Sequence, residues 1–493
     1  MLEGIDEDGV CAFLGVPYAA PPVGPLRWHM PQPPAAWSGV RRAIEYGARA
    51  PQIHTPLEAT LGIGDGPKSE NCLTLNIWTP AAAGAGRPVL VWIHGGAFNT
   101  GGGHIAAYRG DVLARRGDVV VVTVNYRLGA FGFLDLRDAT DGALPATGSE
   151  GLADQIAALA WLGDNVAAFG GDPGNITLFG ESAGAMSVGA LLASPAARGL
   201  FHKAILQSGG AHMGQPRPSS AAIARFLIEA SGLTPVALRD APMDAILKAQ
   251  GEVLDNRSLG GVPFMPTIDG ALLPARPIAA VRDGCAAGVP LLLGTNRDEW
   301  NIFTIARNDL RSMDEAALRG RVAAVTGDEA SADAVLSAHR QGTCFGRWNA
   351  LMTDGSFMVP AARLAEAQGA FAPTFLYRFD WPSPFMGGAL GACHTLEIAF
   401  VFGTAGRLGA PQFLGDGPAA AALCEAMMDA WIAFARTGDP STAGVAWPRY
   451  DAASRRVMIF GDGPPHLVSA PNEQRRAAWD AVDERRIGPQ ASL

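Results

Sequence analysis

The residues best suited to chemistry in this sequence form the pentapeptide GESAG (180–184), which matches the pattern G-x-S-x-G. The apolar run NITLF (175–179) precedes it, and the helix-compatible segment AMSVGALLAS (185–194) follows it. A serine between a strand and a helix stands on a sharp turn with its hydroxyl exposed, and flanking glycines keep other side chains away. The context therefore predicts that Ser182 is a nucleophile for acyl transfer. The alternative is an ordinary strand-to-helix turn built from small residues.

A second glycine-rich segment, HGGAF (94–98), could complete such a site. It follows the apolar run PVLVWI (88–93), so its glycines fall in the loop at the carboxyl end of a strand. Negative charge develops on the carbonyl oxygen during acyl transfer and needs hydrogen-bond donors. We predict that Gly96 and Ala97, with Ala183 after the nucleophile, form a three-donor oxyanion hole. A hairpin-like glycine turn is one alternative; a phosphate cradle is disfavoured because no G-K-[ST] follows.

The elements around these two segments alternate between strands and helices. The runs LTLNIWTP, PVLVWIHGG and DVVVVTVNYRLG are too apolar and β-branched for half-exposed strands, which predicts a sheet covered on both faces. A helix is predicted over Leu152–Phe169, which ends in the stop signal GGDP. Further helices are predicted near 219–231, 241–254, 313–325, 331–341, 358–368 and 418–436, and a strand at 290–294. Alternation of this kind is typical of α/β folds.

Composition limits the classes of partner and compartment. The 493 residues are 48% hydrophobic and carry a net charge of −9 with no concentrated basic block, which argues against nucleic acid as a partner. The longest apolar stretches are far shorter than the roughly 20 residues that span a bilayer, so no membrane association is expected. The acidic start MLEGIDEDGV is unlike a secretory signal and favours a cytoplasmic protein. Six scattered cysteines without a CxxC pair are predicted to be free thiols.

Together these segments resemble the type-B carboxylesterase family of the α/β-hydrolase fold, and among its members most of all the bacterial p-nitrobenzyl esterases. The matching segments, in chain order, are FLGVPYAAPPVGPLRW (13–28), SENCLTLNIWTP (69–80), WIHGGAF (92–98), NYRLGAFGF (125–133), FGGDPGNITLFGESAGA (169–185), LLLGTNRDEW (291–300), HTLEIAFVFG (394–403) and WPRY (447–450). The resemblance implies a large mixed, mostly parallel sheet covered by helices in a single domain spanning 1–493. Helical insertions near 211–290 and 304–390 would shape an active-site gorge.

The resemblance also implies the partners of the nucleophile. It places the acid of a catalytic triad on Glu299 and the base on His394, so the expected triad is Ser182, Glu299 and His394. The order Ser…Glu…His is that of α/β hydrolases. Asp298 is a rival acid, because spacing alone does not separate it from its neighbour.

Three more polar residues resemble the buried network that the family places beside its histidine: Glu181, Ser208 and Glu397. Their alternative role is purely structural. His394 and Glu397 stand at i, i+3, which is half of a metal-binding pattern, but there is no H-E-x-x-H motif or dense His/Asp cluster. Neither a metal nor a cofactor is therefore expected.

The resemblance further implies two structural ion pairs, Arg27 with Glu70 and Arg127 with Asp154. The sequence also departs from the family. Secreted relatives pair the cysteine that matches Cys72 with an upstream cysteine, whereas this chain has Ala50 there, so that disulfide is not expected. Trp300 replaces the glycine that commonly follows the acid, and the opening is roughly a dozen residues shorter than usual, about a strand and its turn.

These inferences predict a serine carboxylesterase that hydrolyses uncharged, short to medium carboxylic esters through an acyl-enzyme on Ser182. The expected partner is a small-molecule ester, and the expected state is a monomer or weak homodimer. The alternatives are a non-catalytic adhesion relative, disfavoured because all three triad positions are filled, and an acetylcholine hydrolase. Choline esters are disfavoured because the stretch 51–68 holds no aromatic side chain except His54.

Overall fold

A single large sheet organises the chain. The computed structural model describes residues 1–53, 66–80 and 86–488. Its strands are β1 (Leu2–Glu3), β2 (Ile5–Glu7), β3 (Val10–Pro17), β4 (Arg41–Arg42), β5 (Thr74–Thr79), β6 (Arg87–Ile93), β7 (Val120–Val124), β8 (Gly171–Glu181), β9 (Lys203–Gln207), β10 (Gln215–Pro216), β11 (Thr267–Ile268), β12 (Leu291–Asn296), β13 (Thr374–Phe379), β14 (Arg456–Gly461) and β15 (Gly463–Ser469). Eleven of them form one sheet in the order β15-β14-β13-β12-β9-β8-β6-β7-β5-β3-β2.

The direction of the strands divides this sheet into a parallel centre and antiparallel edges. From β14 to β7 all neighbours run parallel, whereas β15 and the strands β5, β3 and β2 pair antiparallel. Parallel neighbours present their carboxyl ends at the same edge, where α/β proteins place their ligands. The ends of β6, β8, β9 and β12 therefore lie side by side, and the mixed, mostly parallel sheet confirms the expected fold class.

Helices cover the sheet and build the insertions. Their bounds are Asp111–Gly117, Gly129–Gly132, Glu150–Asn165, Ala183–Ala193, Arg217–Ser231, Pro235–Asp240, Met243–Asp255, Pro277–Arg282, Asn301–Thr304, Asn308–Arg311, Glu315–Thr326, Glu329–Ala338, Cys344–Thr353, Val359–Gly369, Phe385–Gly388, Ile398–Val401, Pro411–Leu414, Gly417–Thr437 and Glu473–Ala478. A π-helical turn, Asp354–Met358, joins two of them. Each predicted helix is present, with bounds that shift by a few residues.

The largest shift concerns the helix predicted over 152–169. It spans Glu150–Asn165 and continues as a 3₁₀ turn over Val166–Phe169. The early start has a local cause: the Glu150 carboxylate accepts hydrogen bonds from the backbone N–H groups of Thr147 and Gly148, at 2.6 and 3.0 Å. These bonds fix the chain just before the helix, and an acid in the first turn also interacts favourably with the helix dipole.

Two apolar clusters, one on each face of the sheet, account for the apolar strands. In β6, Val89 and Val91 belong to one cluster, while Leu90 and Trp92 belong to the other. Successive side chains of a strand point to opposite faces, so a strand buried on both sides must be apolar throughout. Helices Glu150–Asn165 and Ala183–Ala193 pack on the first face, and Gly417–Thr437 packs on the second.

Helix Gly417–Thr437 is the one helix of the described residues that is long and apolar enough to cross a membrane. More than half of it is buried inside the protein. Met427, Trp431 and Phe434 lie in the second apolar cluster, and the Trp431 indole N–H donates to Gln207 Oε1 at 3.1 Å. These contacts identify it as a core helix.

Both expected ion pairs are present. Arg27 Nε donates to Glu70 Oε2 at 2.7 Å, and the same guanidinium donates to the carbonyl of Ala241 at 2.8 Å. Arg127 donates from Nε and Nη2 to the two carboxylate oxygens of Asp154, at 2.8 and 2.7 Å. The second pair is buried, and all six cysteines are free thiols.

We expect Arg127→Ala to lower the unfolding free energy by about 3–5 kcal/mol, because it leaves the buried Asp154 carboxylate without a partner. The matched control is Arg116→Ala, which removes an equally two-pronged but exposed pair with Asp429. An exposed pair contributes at most about 1 kcal/mol. Urea unfolding followed by tryptophan fluorescence measures both, and equal losses would contradict the assignment.

Candidate active site

The turn at Ser182 is formed by a steric constraint. Strand β8 ends at Glu181 and the next helix begins at Ala183, which leaves the serine at φ +55° and ψ −125°. A Cβ on Gly184 would overlap the carbonyl oxygen of Ile93, and a Cβ on Gly180 would lie 2.6 Å from the Gly184 carbonyl carbon. Only glycine fits at either position, so the motif is a true strand-to-helix elbow rather than an ordinary turn.

The glycine loop after β6 lies directly against this elbow. A Cβ on Gly95 would lie 2.8 Å from the carbonyl oxygen of Glu181 and 3.1 Å from Ser182 Cβ. The carbonyl of Gly96 accepts the N–H groups of Asn99 and Thr100 at 2.9 and 3.0 Å, which folds the loop into a tight turn.

The predicted oxyanion residues thus come together. Gly96 and Ala97 have positive φ angles of 113° and 51°, and both line the same cavity as Ser182 and Ala183. The N–H of Ala183 belongs to the first turn of its helix, where backbone N–H groups have no partner within the helix. The three residues predicted to supply the oxyanion donors therefore border the cavity that Ser182 also lines.

The predicted base and acid form a short contact. His394 Nδ1 lies 2.6 Å from Glu299 Oε2, and both side chains are buried. The other carboxylate oxygen, Oε1, accepts the N–H of Asn296 at 2.7 Å, and the Asn296 side chain donates to the carbonyl of Cys393 at 2.7 Å. One asparagine thereby ties the loop of the acid to the loop of the base.

The rival acid points elsewhere. Asp298 Oδ2 accepts the N–H of Ala392 at 2.9 Å and the Nε of Arg297 at 3.0 Å. The Asp298 side chain is 30% exposed, whereas that of Glu299 is fully buried. The geometry thus separates two neighbours that spacing alone could not.

Of the three residues expected in the polar network, two carry the charge around the histidine. His394 Nε2 lies 3.1 Å from Glu181 Oε1. Glu397 is held by the side-chain amides of Gln207 and Asn296, at 3.1 and 2.7 Å. Ser208 is buried, but its hydroxyl has no hydrogen-bond partner among the described residues.

These buried groups shift one another's pKa. Burial alone lowers the pKa of His394, but the carboxylates of Glu181, Glu299 and Glu397 outweigh it and raise that pKa to about 9. Burial raises the pKa of Glu181 well above its ordinary value, although the nearby imidazole opposes the shift. Burial and the charge of Glu299 likewise raise the pKa of Glu397. The carboxylates therefore stabilise the imidazolium, which is the form that a general base adopts after it takes a proton.

The nucleophile and the base open onto one cavity of about 380 Å³. Its walls are mostly apolar, and they include an aromatic group of Trp300, Phe303 and Phe357. The rings of Phe303 and Phe357 lie 5.2 and 4.8 Å from the His394 ring. Sequence reasoning pointed to Trp300 but missed both phenylalanines; Phe303 stands only four positions after Glu299, whereas no local signal marks Phe357.

The two remaining expectations concern the stretch 51–68 and metal binding. Most of the aromatic-poor stretch 51–68, His54 included, lies in 54–65, outside the described residues. Within the described ranges, no group of three or more His, Cys, Asp or Glu side chains is arranged to hold a metal ion.

Comparison with known proteins gives a consistent answer. The model of the carboxylesterase family matches residues 1–479. The para-nitrobenzyl esterase of Bacillus subtilis is 38% identical over 96% of both chains, and the phenmedipham hydrolase of Pseudarthrobacter oxydans is 39% identical over 94% of this chain and 93% of its own.

Solved structures agree with these relatives. A thermophilic PNB esterase superposes with a TM-score of 0.88 at 36% identity, covering 97% of both chains. A carboxylesterase of Geobacillus stearothermophilus superposes with a TM-score of 0.86 at 40% identity, over 97% of this chain and 98% of its own. The chain therefore belongs to the carboxylesterase family and is a carboxylic ester hydrolase.

Proposed function

We propose that Ser182, Glu299 and His394 are the triad that hydrolyses carboxylic esters in this protein. The observation that carries the proposal is the 2.6 Å contact between His394 Nδ1 and the buried Glu299 Oε2, because His394 lines the cavity that the elbow serine and the glycine loop also line. A nucleophile, a base and an oriented carboxylate at one cavity constitute the arrangement that acyl transfer requires.

The reaction follows from these positions. His394 takes the proton of the Ser182 hydroxyl while the serine oxygen attacks the ester carbonyl. The N–H groups of Gly96, Ala97 and Ala183 stabilise the oxyanion, and the imidazolium then protonates the departing alcohol. Water attacks the resulting acyl-enzyme with His394 again as base, which releases the acid and restores the serine.

Glu299 binds Nδ1 of the imidazole, which leaves Nε2 as the nitrogen that takes the serine proton, and its charge stabilises the imidazolium. Glu181 and Glu397 add to that stabilisation from a buried position, consistent with the raised pKa of His394. A low local dielectric strengthens such interactions. Ser208 belongs to this proposal only as a buried neighbour of the network.

For the substrate we propose uncharged esters with short to medium acyl groups. A cavity of about 380 Å³ with mostly apolar walls holds a small apolar molecule. The relatives named for para-nitrobenzyl and phenmedipham substrates suggest that aryl groups are accepted as well.

We also propose that the chain acts as one domain over 1–493, as a monomer or weak homodimer in the cytoplasm. Its main sheet takes strands from Ile5–Glu7 to Gly463–Ser469, which supports one folding unit. Six free thiols fit a reducing compartment. The net charge of −9 disfavours nucleic acid.

Ser182→Ala is expected to reduce kcat by roughly 10³-fold or more, because it removes the nucleophilic oxygen and leaves no large cavity. Hydrolysis of p-nitrophenyl butyrate measures the loss, and a melting curve checks that the fold persists. Mass spectrometry after treatment with an organophosphate should find the adduct on Ser182; an adduct on another serine would refute the elbow assignment.

Glu299→Gln is expected to reduce kcat by roughly a hundredfold or more, since the amide can present its N–H to the imidazole and select the wrong tautomer. Asp298→Asn is the matched control, one residue away, and should leave kcat nearly unchanged because that carboxylate binds Ala392 and Arg297 instead. Comparable losses in the two variants would undo the choice of acid.

Choline esters are expected to be poorer substrates than their neutral isosteres. Recognition of a quaternary ammonium needs an open aromatic face, worth about 0.5–2 kcal/mol, or up to about thirtyfold in kcat/KM. Tryptophan provides the best such face, and Trp300, the tryptophan that lines the cavity, is only 3% exposed and packs against Phe303, with ring centroids 4.9 Å apart. The measurement compares butyrylcholine with 3,3-dimethylbutyl butyrate, and a clearly higher kcat/KM for the cation would contradict the prediction.

A further inference from the structure

One insertion helix reaches the proposed triad from outside the sheet. Helix Cys344–Thr353, the π turn Asp354–Met358 and helix Val359–Gly369 follow one another without a break, and we call residues 344–369 the brace. A π turn inserts one residue into an α-helix and is seldom retained unless it places particular side chains. The side chains on and beside this turn contact the chain next to the acid and the ring of the base.

The first contact fixes the chain that follows the acid. Thr353 Oγ1 accepts the backbone N–H of Trp300 at 3.1 Å, and both residues are buried. Because Trp300 directly follows Glu299, this bond holds one side of the acid while the N–H of Asn296 binds its carboxylate from the other.

A second pair of bonds lies one helical turn earlier in the brace. The Asn349 side chain donates to Asn301 Oδ1 at 3.0 Å and accepts from the Thr304 hydroxyl at 3.0 Å. Three successive points of the segment after Glu299, at positions 300, 301 and 304, are thus tied to the brace. The loop of the acid has little freedom to move relative to it.

The third contact concerns the base. Phe357, inside the π turn, is 2% exposed, and its ring centroid lies 4.8 Å from that of His394 with the planes inclined by 39°. Thr353 precedes the turn and Phe357 lies near its end, so the conformation of the turn sets the distance between the support of the acid and the support of the base.

The turn itself is anchored on its far side by a buried carboxylate. Asp354 is 1% exposed; its Oδ2 lies 2.8 Å from His339 Nε2 and accepts Arg475 Nε at 2.6 Å. Arg475 Nη2 donates to Asp354 Oδ1 at 2.7 Å and to the carbonyl of Ala350 at 3.1 Å. A Cβ on Gly355 would overlap the ring of Trp479, so the turn is also packed tightly there.

A buried charge of this kind is costly unless every oxygen is paired, and replacing a whole buried ion pair by well-packed apolar residues is often neutral or favourable for stability. Neither Asp354 nor Arg475 lines the cavity. Substrate binding therefore does not explain the ion pair between Asp354 and Arg475. The pair instead holds the π turn, which contacts the loop of Glu299 and the ring of His394.

We propose that Thr353 and Asp354 are positioning residues, which act through the π turn to hold Glu299 and His394 in register. The inference rests on the proposed triad and adds a device outside it. Misplacement of reacting groups by a fraction of an ångström to 1 Å lowers the rate by up to roughly a hundredfold without requiring any change in substrate affinity.

The first test compares Thr353→Val with Thr353→Ser. Valine keeps the shape but removes the acceptor for the Trp300 N–H, whereas serine keeps the hydroxyl. With p-nitrophenyl butyrate we expect Thr353→Val to lower kcat roughly tenfold with KM within about twofold, and Thr353→Ser to restore most of the rate. A Thr353→Val variant with wild-type kcat, or a serine variant equally impaired, would overturn the proposal.

Asp354→Asn is a second, independent test of the proposal. It should lower kcat by roughly tenfold or more at nearly unchanged KM, and it should move the acid limb of the kcat/KM profile to lower pH. The limb moves to lower pH because a looser contact with Glu299 stabilises the imidazolium less and so lowers the pKa of His394. A variant that only melts at lower temperature, with kcat and the pH profile unchanged, would show a merely structural role and refute the proposal.

Ser182→Ala and Glu299→Gln are measured in the same series. If either retains wild-type activity, the proposed triad is wrong whatever the brace variants do. If both are inactive while Thr353→Val and Asp354→Asn are fully active, the triad stands and only the positioning role fails.

Discussion

The close approach of helix Ala183–Ala193 to the carboxyl end of β6 is the constraint on which the rest of the site depends. Gly184 sits so near the carbonyl of Ile93 that no side chain fits between them. This proximity forces the sharp turn at Ser182, sends the following helix back over one face of the sheet and brings the glycine loop against the serine. The positions of the nucleophile and of the predicted oxyanion donors thus depend on the same close contact. A larger residue at position 184 would displace both.

The second requirement is electrostatic, and it explains the polar core beneath this turn. A base that takes a proton inside an apolar cavity becomes a buried cation, which is unfavourable without a compensating charge. The carboxylates of Glu181, Glu299 and Glu397 surround His394 and raise its pKa to about 9. Burial raises the pKa of Glu181 and Glu397, and the charges of these carboxyl groups and of the imidazole shift one another's pKa.

The sequence predicts what short-range patterns encode and misses what distant contacts decide. Strands β6, β7 and β8 are predictable because burial on both faces demands continuous apolar runs, and the elbow is predictable because its glycines are adjacent in the chain. Spacing alone does not decide between Asp298 and Glu299, because their partners Ala392 and His394 lie more than ninety positions away; only the family resemblance pointed to Glu299. Phe357 is missed for the same reason: its role comes from a π turn, and no spacing rule marks one.

The short-range patterns correspond to the sheet, and the distant contacts correspond to the loops that carry the acid and the base. The sheet supplies the parts that any serine ester hydrolysis needs, namely a strained serine and backbone donors, from elements fixed by local sterics. The acid and the base come from loops beyond β12 and β13, where the pairing of strands does not fix their positions. Their relative position is therefore set by contacts between distant parts of the chain: the bond from Asn296, at the end of β12, to the carbonyl of Cys393, and the packing of the insertion that also lines the cavity. Changes in that insertion consequently affect substrate selection and rate together, whereas changes in the sheet chiefly affect whether a site forms at all.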